Sequence, residues 1–130
     1  MQTQPVQSQP SITLTRPDVE RLNAMLDHER GGHSDLLVER LEEEVRRAVI
    51  VEKAAGVVTL GSQVEYENVE SGARRVVCLV LPQDADVASG RLSVLTPIGC
   101  SLIGLREGDT FTWDAGTHRW RLRVISVRAA

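Results

Sequence analysis

The sequence predicts an α+β protein: a short N-terminal antiparallel two-helix coiled-coil hairpin, followed by an antiparallel sheet that carries one short helix. Three observations predict it. Apolar side chains recur with the helical period over residues 16–54, they alternate with the strand period after Gly56, and an apolar stretch opened by Pro97 interrupts that alternation. The chain has 130 residues, 42% apolar and 25% charged, which suits one globular domain with an appendage. No run of about 18 apolar residues is present, so no membrane association is expected.

Residues 1–14 are rich in Gln, Pro and Ser, and a segment with so few apolar side chains is expected to be a flexible tail. It has neither a basic start nor an apolar core, so it does not read as a secretory signal. Residues 15–55 follow as the helical hairpin. Thr15 offers a capping hydroxyl, Pro17 fits a first helical turn, and Asp18 suits the positive end of the helix dipole. The first helix then runs to about Glu29, with Val19, Leu22, Met25 and Leu26 on one face. Gly31 and Gly32 break it, Ser34 can cap a second helix, and Leu37, Leu41, Val45, Ala48 and Val49 form that helix's stripe. A connection this short makes the helices antiparallel, giving an arm roughly 20 to 30 Å long with its tip at Arg30 to Asp35. The remaining face, Glu39, Arg40, Glu42, Glu43, Glu44, Arg46 and Arg47, is expected to meet solvent, with Glu42/Arg46 and Glu43/Arg47 paired at the four-residue offset.

Residues 56–130 form the second part. After the apolar run Val57 to Leu60, Val64 and Tyr66 alternate with Gln63, Glu65 and Glu67 as a half-buried strand does. The turn Asn68 to Gly72 returns the chain through a valine-rich strand, Arg74 to Leu81, which brings Glu65 and Glu67 near Arg74 or Arg75. Leu92 to Leu95 reads as a strand, Pro97 to Leu105 as a short helix closed by Gly108, and Asp109 to Trp113 and Arg119 to Val127 as a final hairpin. In the last strand Trp120, Leu122 and Val124 face the core and Arg119, Arg121 and Arg123 face solvent.

Several function classes fall away on chemistry. The net charge is −3, with the acid excess confined to residues 1–56, and the four aromatics Tyr66, Phe111, Trp113 and Trp120 are too few for a base-stacking platform. No specific DNA binding is expected. Gly99, Gly104 and Gly108 have no phosphate-loop spacing, and His28, His33 and His118 have no metal-ligand spacing. Cys100 with His118 could be imagined as a nucleophile and base, but a cysteine inside an apolar helix is ordinarily inert core. Cys78 and Cys100 match no disulfide or zinc pattern, which fits a reducing, cytoplasmic setting. No catalytic residue, metal or cofactor is expected, so the chain reads as a non-enzyme and a monomer.

The segment Arg91 to Asp109, RLSVLTPIGCSLIGLREGD, runs as strand, hydroxyl-proline dipeptide, small-residue helix and Gly-Asp turn. Carried by Leu92, Ser93, Val94, Thr96, Pro97, Gly99, Leu102, Gly104, Leu105, Gly108 and Asp109, it resembles the C-terminal signature of the GreA/GreB transcription elongation factor superfamily. Val58 to Ser62 and Leu81 to Asp86 resemble flanking parts of the same domain. The short arm is similar to the Rnk branch of that superfamily rather than to the long coiled coil of Gre factors.

The resemblance implies an FKBP-like C-terminal domain that binds core RNA polymerase at the rim of its secondary channel. It carries over Ser93, Thr96, Pro97, Ile98 and Gly99 as the contact residues, Thr96 standing where the family has serine. Taken alone, Thr96-Pro97 is an ordinary helix start. Gre cleavage factors place acids at the coiled-coil tip to help hold a metal ion; here the tip offers Glu29, His33 and Asp35, of which only Glu29 and Asp35 are acidic. The expected function is therefore a regulator of transcription that competes with Gre factors at the secondary channel without transcript cleavage. The alternatives are a peptidyl-prolyl isomerase suggested by the FKBP-like fold, or a non-catalytic interaction module unrelated to transcription.

Overall fold

In a computed structural model, which describes residues 12–30, 36–53, 55–115 and 118–128, two helices are followed by a five-stranded sheet and a third short helix. Strand β1 (Thr13–Thr15) leads into α1 (Arg16–Arg30); α2 (Leu36–Arg47) leads into β2 (Val49–Val51). The sheet is built from β3 (Gln63–Asn68), β4 (Arg74–Val80), β5 (Arg91–Ser93), β6 (Thr110–Ala115) and β7 (His118–Arg128), with α3 (Pro97–Leu102) between β5 and β6. The spatial order is β5-β4-β3-β7-β6.

The sequence features act locally as anticipated at the start of α1. The Asp18 amide donates to the Thr15 hydroxyl at 3.4 Å, and Pro17 occupies a first-turn position where no N–H partner exists. The end of α2 differs from expectation. The helix stops at Arg47 rather than near residue 54, because the β-branched run Val49-Ile50-Val51 prefers extended backbone and pairs in parallel with Thr13-Leu14-Thr15. Val49 consequently leaves the helical stripe and is mostly exposed.

The composition of the N-terminal segment misled at Ile12 to Leu14. Ile12 and Leu14 are core residues, and the Thr13 amide donates to the Gly104 carbonyl at 3.0 Å. Three ordered residues suffice here because both side chains are buried in the core, Ile12 directly over Gly104, so burial offsets the ordering entropy that the polar composition alone would leave unopposed. Residues 1–11, the remainder of the expected tail, lie outside the described residues.

Two further expectations are corrected. The sheet is mixed, since β4 and β5 pair in parallel while the other neighbours are antiparallel. After β4 the chain returns through two short 3-10 turns, Pro82–Asp84 and Val87–Ser89, instead of a tight hairpin, so β5 re-enters in the same direction. Helix α3 ends at Leu102, short of Leu105, because Gly104 takes φ +82° and its amide turns to the Val58 carbonyl. On β7 the alternation holds: Leu122 and Val124 are buried, while Arg119, Arg121 and Arg123 are exposed. A bulge opposite Glu65 and Tyr66 then shifts the register, so that Val127 rather than Ser126 packs against the core beside Val64.

The helical pair does not stand clear of the sheet. Leu22, Leu26, Val38, Leu41 and Val45 belong to one continuous core with Val58, Leu79, Leu102, Leu105, Phe111 and Leu122. Asp18, 3% exposed, accepts from the Leu60 amide at 3.0 Å, and the Arg40 guanidinium lies 5.4 Å from the centre of the Phe111 ring. This second contact face removes Glu44 from the expected solvent side. Glu44 is buried, holding Arg47 at 2.7 Å and Arg40 at 3.7 Å. On the exposed side of the helix Glu43 pairs with Arg46, three residues on, at 3.0 Å.

Candidate docking surface

The residues Ser93, Thr96, Pro97, Ile98 and Gly99 come together in one corner where β5 ends and α3 begins. Ser93 Oγ accepts from the Leu95 amide at 2.9 Å, which turns the chain out of the strand. Thr96 is the N-cap of α3: its hydroxyl accepts from the Gly99 amide at 3.0 Å and donates to the Ser93 carbonyl at 2.8 Å. Pro97 follows at the first helical position and is exposed, whereas Ile98 is half-buried. Gly99 is buried for a steric reason: a Cβ there would collide with the Ser93 carbonyl and the Val94 Cα. The three inward residues thus form a braced turn that presents the Pro97 ring outward.

Beside this corner a cavity of about 810 Å³ opens on the sheet, lined by Tyr66, Val77, Leu92, Ile98 and Leu122 and bordered by Arg75, Arg91 and the exposed Val76 and Val87. Charge spacing in the sequence did not reveal it. Its walls come from β3, β4, β5, α3 and β7, and only the pairing register brings them together: Tyr66 lies opposite Arg75 and Val64 opposite Val77. The expected neighbourhood of Glu67 is also resolved by register, since Arg74 is its cross-strand partner but Arg123 makes the ion pair, at 3.5 Å.

Glu29 does not project from a free arm. It lines a crevice with His28, Met25 and Arg21 on one side and Leu81, Pro82 and Gln83 on the other, so the end of α1 lies beside the turn that follows β4. His33 and Asp35 lie outside the described residues. Among the described residues no group of three His, Cys, Asp or Glu side chains could hold a metal ion, and no helix is long and apolar enough to cross a membrane. Cys100 sits under α2, where burial pushes its thiol up to about 12; the Arg40 charge opposes that rise and Glu44 adds to it.

The arrangement of a helical pair packed on a mixed sheet is shared with a solved transcription elongation factor of the GreA/GreB type. A solved structure described as a prokaryotic transcription elongation factor GreA/GreB from Nitrosomonas europaea superposes with a TM-score of 0.71 at 32% identity, covering 92% of this chain and 99% of that one. The family model for the C-terminal part of the transcription elongation factors GreA/GreB matches residues 53–129, and a model for the Rnk N-terminus matches residues 10–51. The chain belongs to the GreA/GreB family and carries an N-terminal part of the Rnk type. It is 34% identical to the regulator of nucleoside diphosphate kinase of Escherichia coli K12, over 82% of this chain and 80% of that protein. It is also 38% identical to the transcription inhibitor protein Gfh1 of Thermus thermophilus, over 69% of this chain and 60% of that protein.

Proposed function

We propose that the chain is a non-enzymatic, cytoplasmic regulator of transcription that acts as a monomer. It binds core RNA polymerase at the rim of the secondary channel and competes there with Gre factors without cleaving the transcript. The observation that carries this reading is the corner Ser93 to Gly99, rigidly braced behind an exposed proline and lying inside the matched C-terminal segment. A turn whose inward groups satisfy one another offers a partner a preformed surface at little ordering cost. On this reading the C-terminal part has the FKBP-like fold, the helical pair is a short coiled-coil hairpin, and the unit boundaries fall near residues 15 and 56.

The absence of cleavage is supported by length and placement. Helix α1 has 15 residues, about 22 Å, and its last turn lies against Leu81 to Gln83, so Glu29 stays beside the sheet domain. The tip residues Glu29, His33 and Asp35 therefore occupy the channel mouth and do not serve as metal ligands at the polymerase active site. The test is retention of core polymerase by the immobilised protein, expected to be lost with Pro97→Glu and reduced by added Gre factor. Stalled complexes incubated with the protein should keep their transcript length; shortening that depends on Glu29 and Asp35 overturns the non-cleaving reading.

A further inference from the structure

We infer that the exposed edge of β2 is a self-association surface, at which two copies of the chain pair antiparallel about a two-fold axis beside Ile50. The inference goes beyond the polymerase-docking reading and does not depend on it.

The backbone carries the first step. Strand β2 pairs with β1 alone among the described residues, and the Val49 amide donates to the Ile12 carbonyl at 2.9 Å. Alternate residues of a parallel strand bond to alternate sides, so Val49 and Val51 serve β1 while the amide and carbonyl of Ile50 point away from it. No backbone partner meets them among the described residues. Val49 is 55% and Ile50 45% exposed, two of the four large apolar side chains exposed among the described residues. The strand has no proline, bulge or internal charge to blunt its edge; charge enters only past its end, at Glu52 and Lys53.

Symmetry and charge name the occupant. An edge that offers the N–H and the C=O of one residue is met by its own copy: Ile50 faces Ile50, both bonds form, and Val49 faces Val51 of the second copy. In that register Glu52, two residues on from Ile50 and on its face, stands opposite Ala48 of the second copy. Arg46 is on the same face, since it lines a cleft of about 390 Å³ with Ile50, Val19 and Val45. The two-fold therefore brings Glu52 of each copy beside Arg46 of the other. Their present partners, Arg16 at 3.3 Å and Glu43 at 3.0 Å, are exposed ion pairs that contribute little to the fold and yield readily. A ladder of three residues buries a small area, so the dimer is weak, with a dissociation constant on the order of 100 µM. At lower concentrations the chain is the monomer that acts on polymerase.

The test is sedimentation equilibrium of the full chain at concentrations from about tenfold below to about tenfold above that constant. It compares wild type, Ile50→Glu, Arg46→Glu, Glu52→Arg and the double variant Arg46→Glu with Glu52→Arg, each checked for an unchanged melting temperature. Wild type is expected to pass from monomer to dimer and no further, because a two-fold contact closes on itself. Ile50→Glu, which sets two carboxylates face to face, and each single charge reversal are expected to weaken the dimer about tenfold, and the double variant to recover to within about threefold of wild type. A wild type that stays monomeric throughout overturns the inference, as does an Ile50→Glu variant that associates like wild type. A double variant no better than the single reversals overturns the two-fold register, and growth beyond the dimer overturns the closed pairing. Retention of polymerase is a separate measurement, so the docking reading stands or falls independently of these results.

Discussion

Gly99 packs its bare Cα against the carbonyl oxygen of Ser93, the same oxygen that accepts the Thr96 hydroxyl at 2.8 Å. The strand end, the cap and the first turn of α3 are thereby locked as one unit. Gly99→Ala has to push Ser93 away, which breaks that hydroxyl bond and costs about 1–3 kcal/mol. Thr96→Ala removes the cap and costs about 1 kcal/mol, whereas Thr96→Ser keeps both hydrogen bonds and stays within a few tenths of wild type. Urea titrations of the three variants check the order: Gly99→Ala least stable, Thr96→Ala next, Thr96→Ser close to wild type.

Gly104 plays the same part for the N-terminal strand. Its φ of +82° is reached readily only by glycine, and a Cβ there would stand 2.7 Å from Ile12 Cβ. Gly104→Ala is therefore strained twice, by conformation and by collision. Ile12→Ala leaves a void in the same slot and should cost about 2–4 kcal/mol. The measurement is thermal unfolding of each variant. A melting temperature for Ile12→Ala equal to wild type would show that β1 contributes nothing to the fold.

These glycines mark where the sequence was readable and where it was not. Thr15, Pro17 and Thr96-Pro97 act through the nearest few residues, so their capping roles follow from the local string, and the strand alternation at Leu122 and Val124 follows from period two alone. The core role of Ile12 depends on Gly104, far away in sequence, and the burial of Glu44 depends on α2 packing on α3 as well as on α1. Neither is a local property. The cavity beside the corner is non-local in the same sense: five elements contribute side chains to it, and no spacing along the chain announces that Tyr66, Leu92 and Ile98 meet. The corner itself was legible as a motif, while its bracing became visible only from the close approach of Gly99 to Ser93.

The two cysteines should differ sharply toward thiol reagents. Cys78 is half-buried on the sheet and donates weakly to the Gly61 carbonyl at 3.4 Å. Cys100 is buried, with its thiol pushed up to about 12, so its thiolate fraction at pH 8 is about one part in ten thousand. A native-state titration at pH 8 should therefore consume one thiol at Cys78 and release the second only on denaturation. Fast modification of Cys100 in the Cys78→Ser variant would contradict the packing of α2 over α3.

The helices and the sheet should unfold together. Leu41 on α2 is completely buried in the core that also holds Leu102 and Phe111, so Leu41→Ala removes contacts belonging to both parts and should cost about 2–5 kcal/mol. Helical circular dichroism and the fluorescence of Trp113 and Trp120 are expected to report one midpoint in wild type and one lower midpoint in the variant. Two separated midpoints would mean that the helical pair is an independent unit.

Asp18 ties α1 to the sheet domain, and its ionisation gives that tie a pH dependence. Burial raises its carboxyl above the ordinary 3.8 of an aspartate, while the Leu60 amide at 3.0 Å and the Arg21 charge work against the rise. The folded chain therefore holds a proton at pH values where the unfolded chain has released it. The contribution of this group to stability is fully present below the unfolded value and is lost as pH rises through the higher folded value. Asp18→Asn retains an oxygen for the Leu60 amide and cannot titrate. The stability of wild type relative to this variant should accordingly decline as pH is raised from 3 to 6, measured by denaturant titration at each pH. A relative stability that instead climbs over the same range would mean that the Arg21 and Leu60 contacts outweigh burial at Asp18.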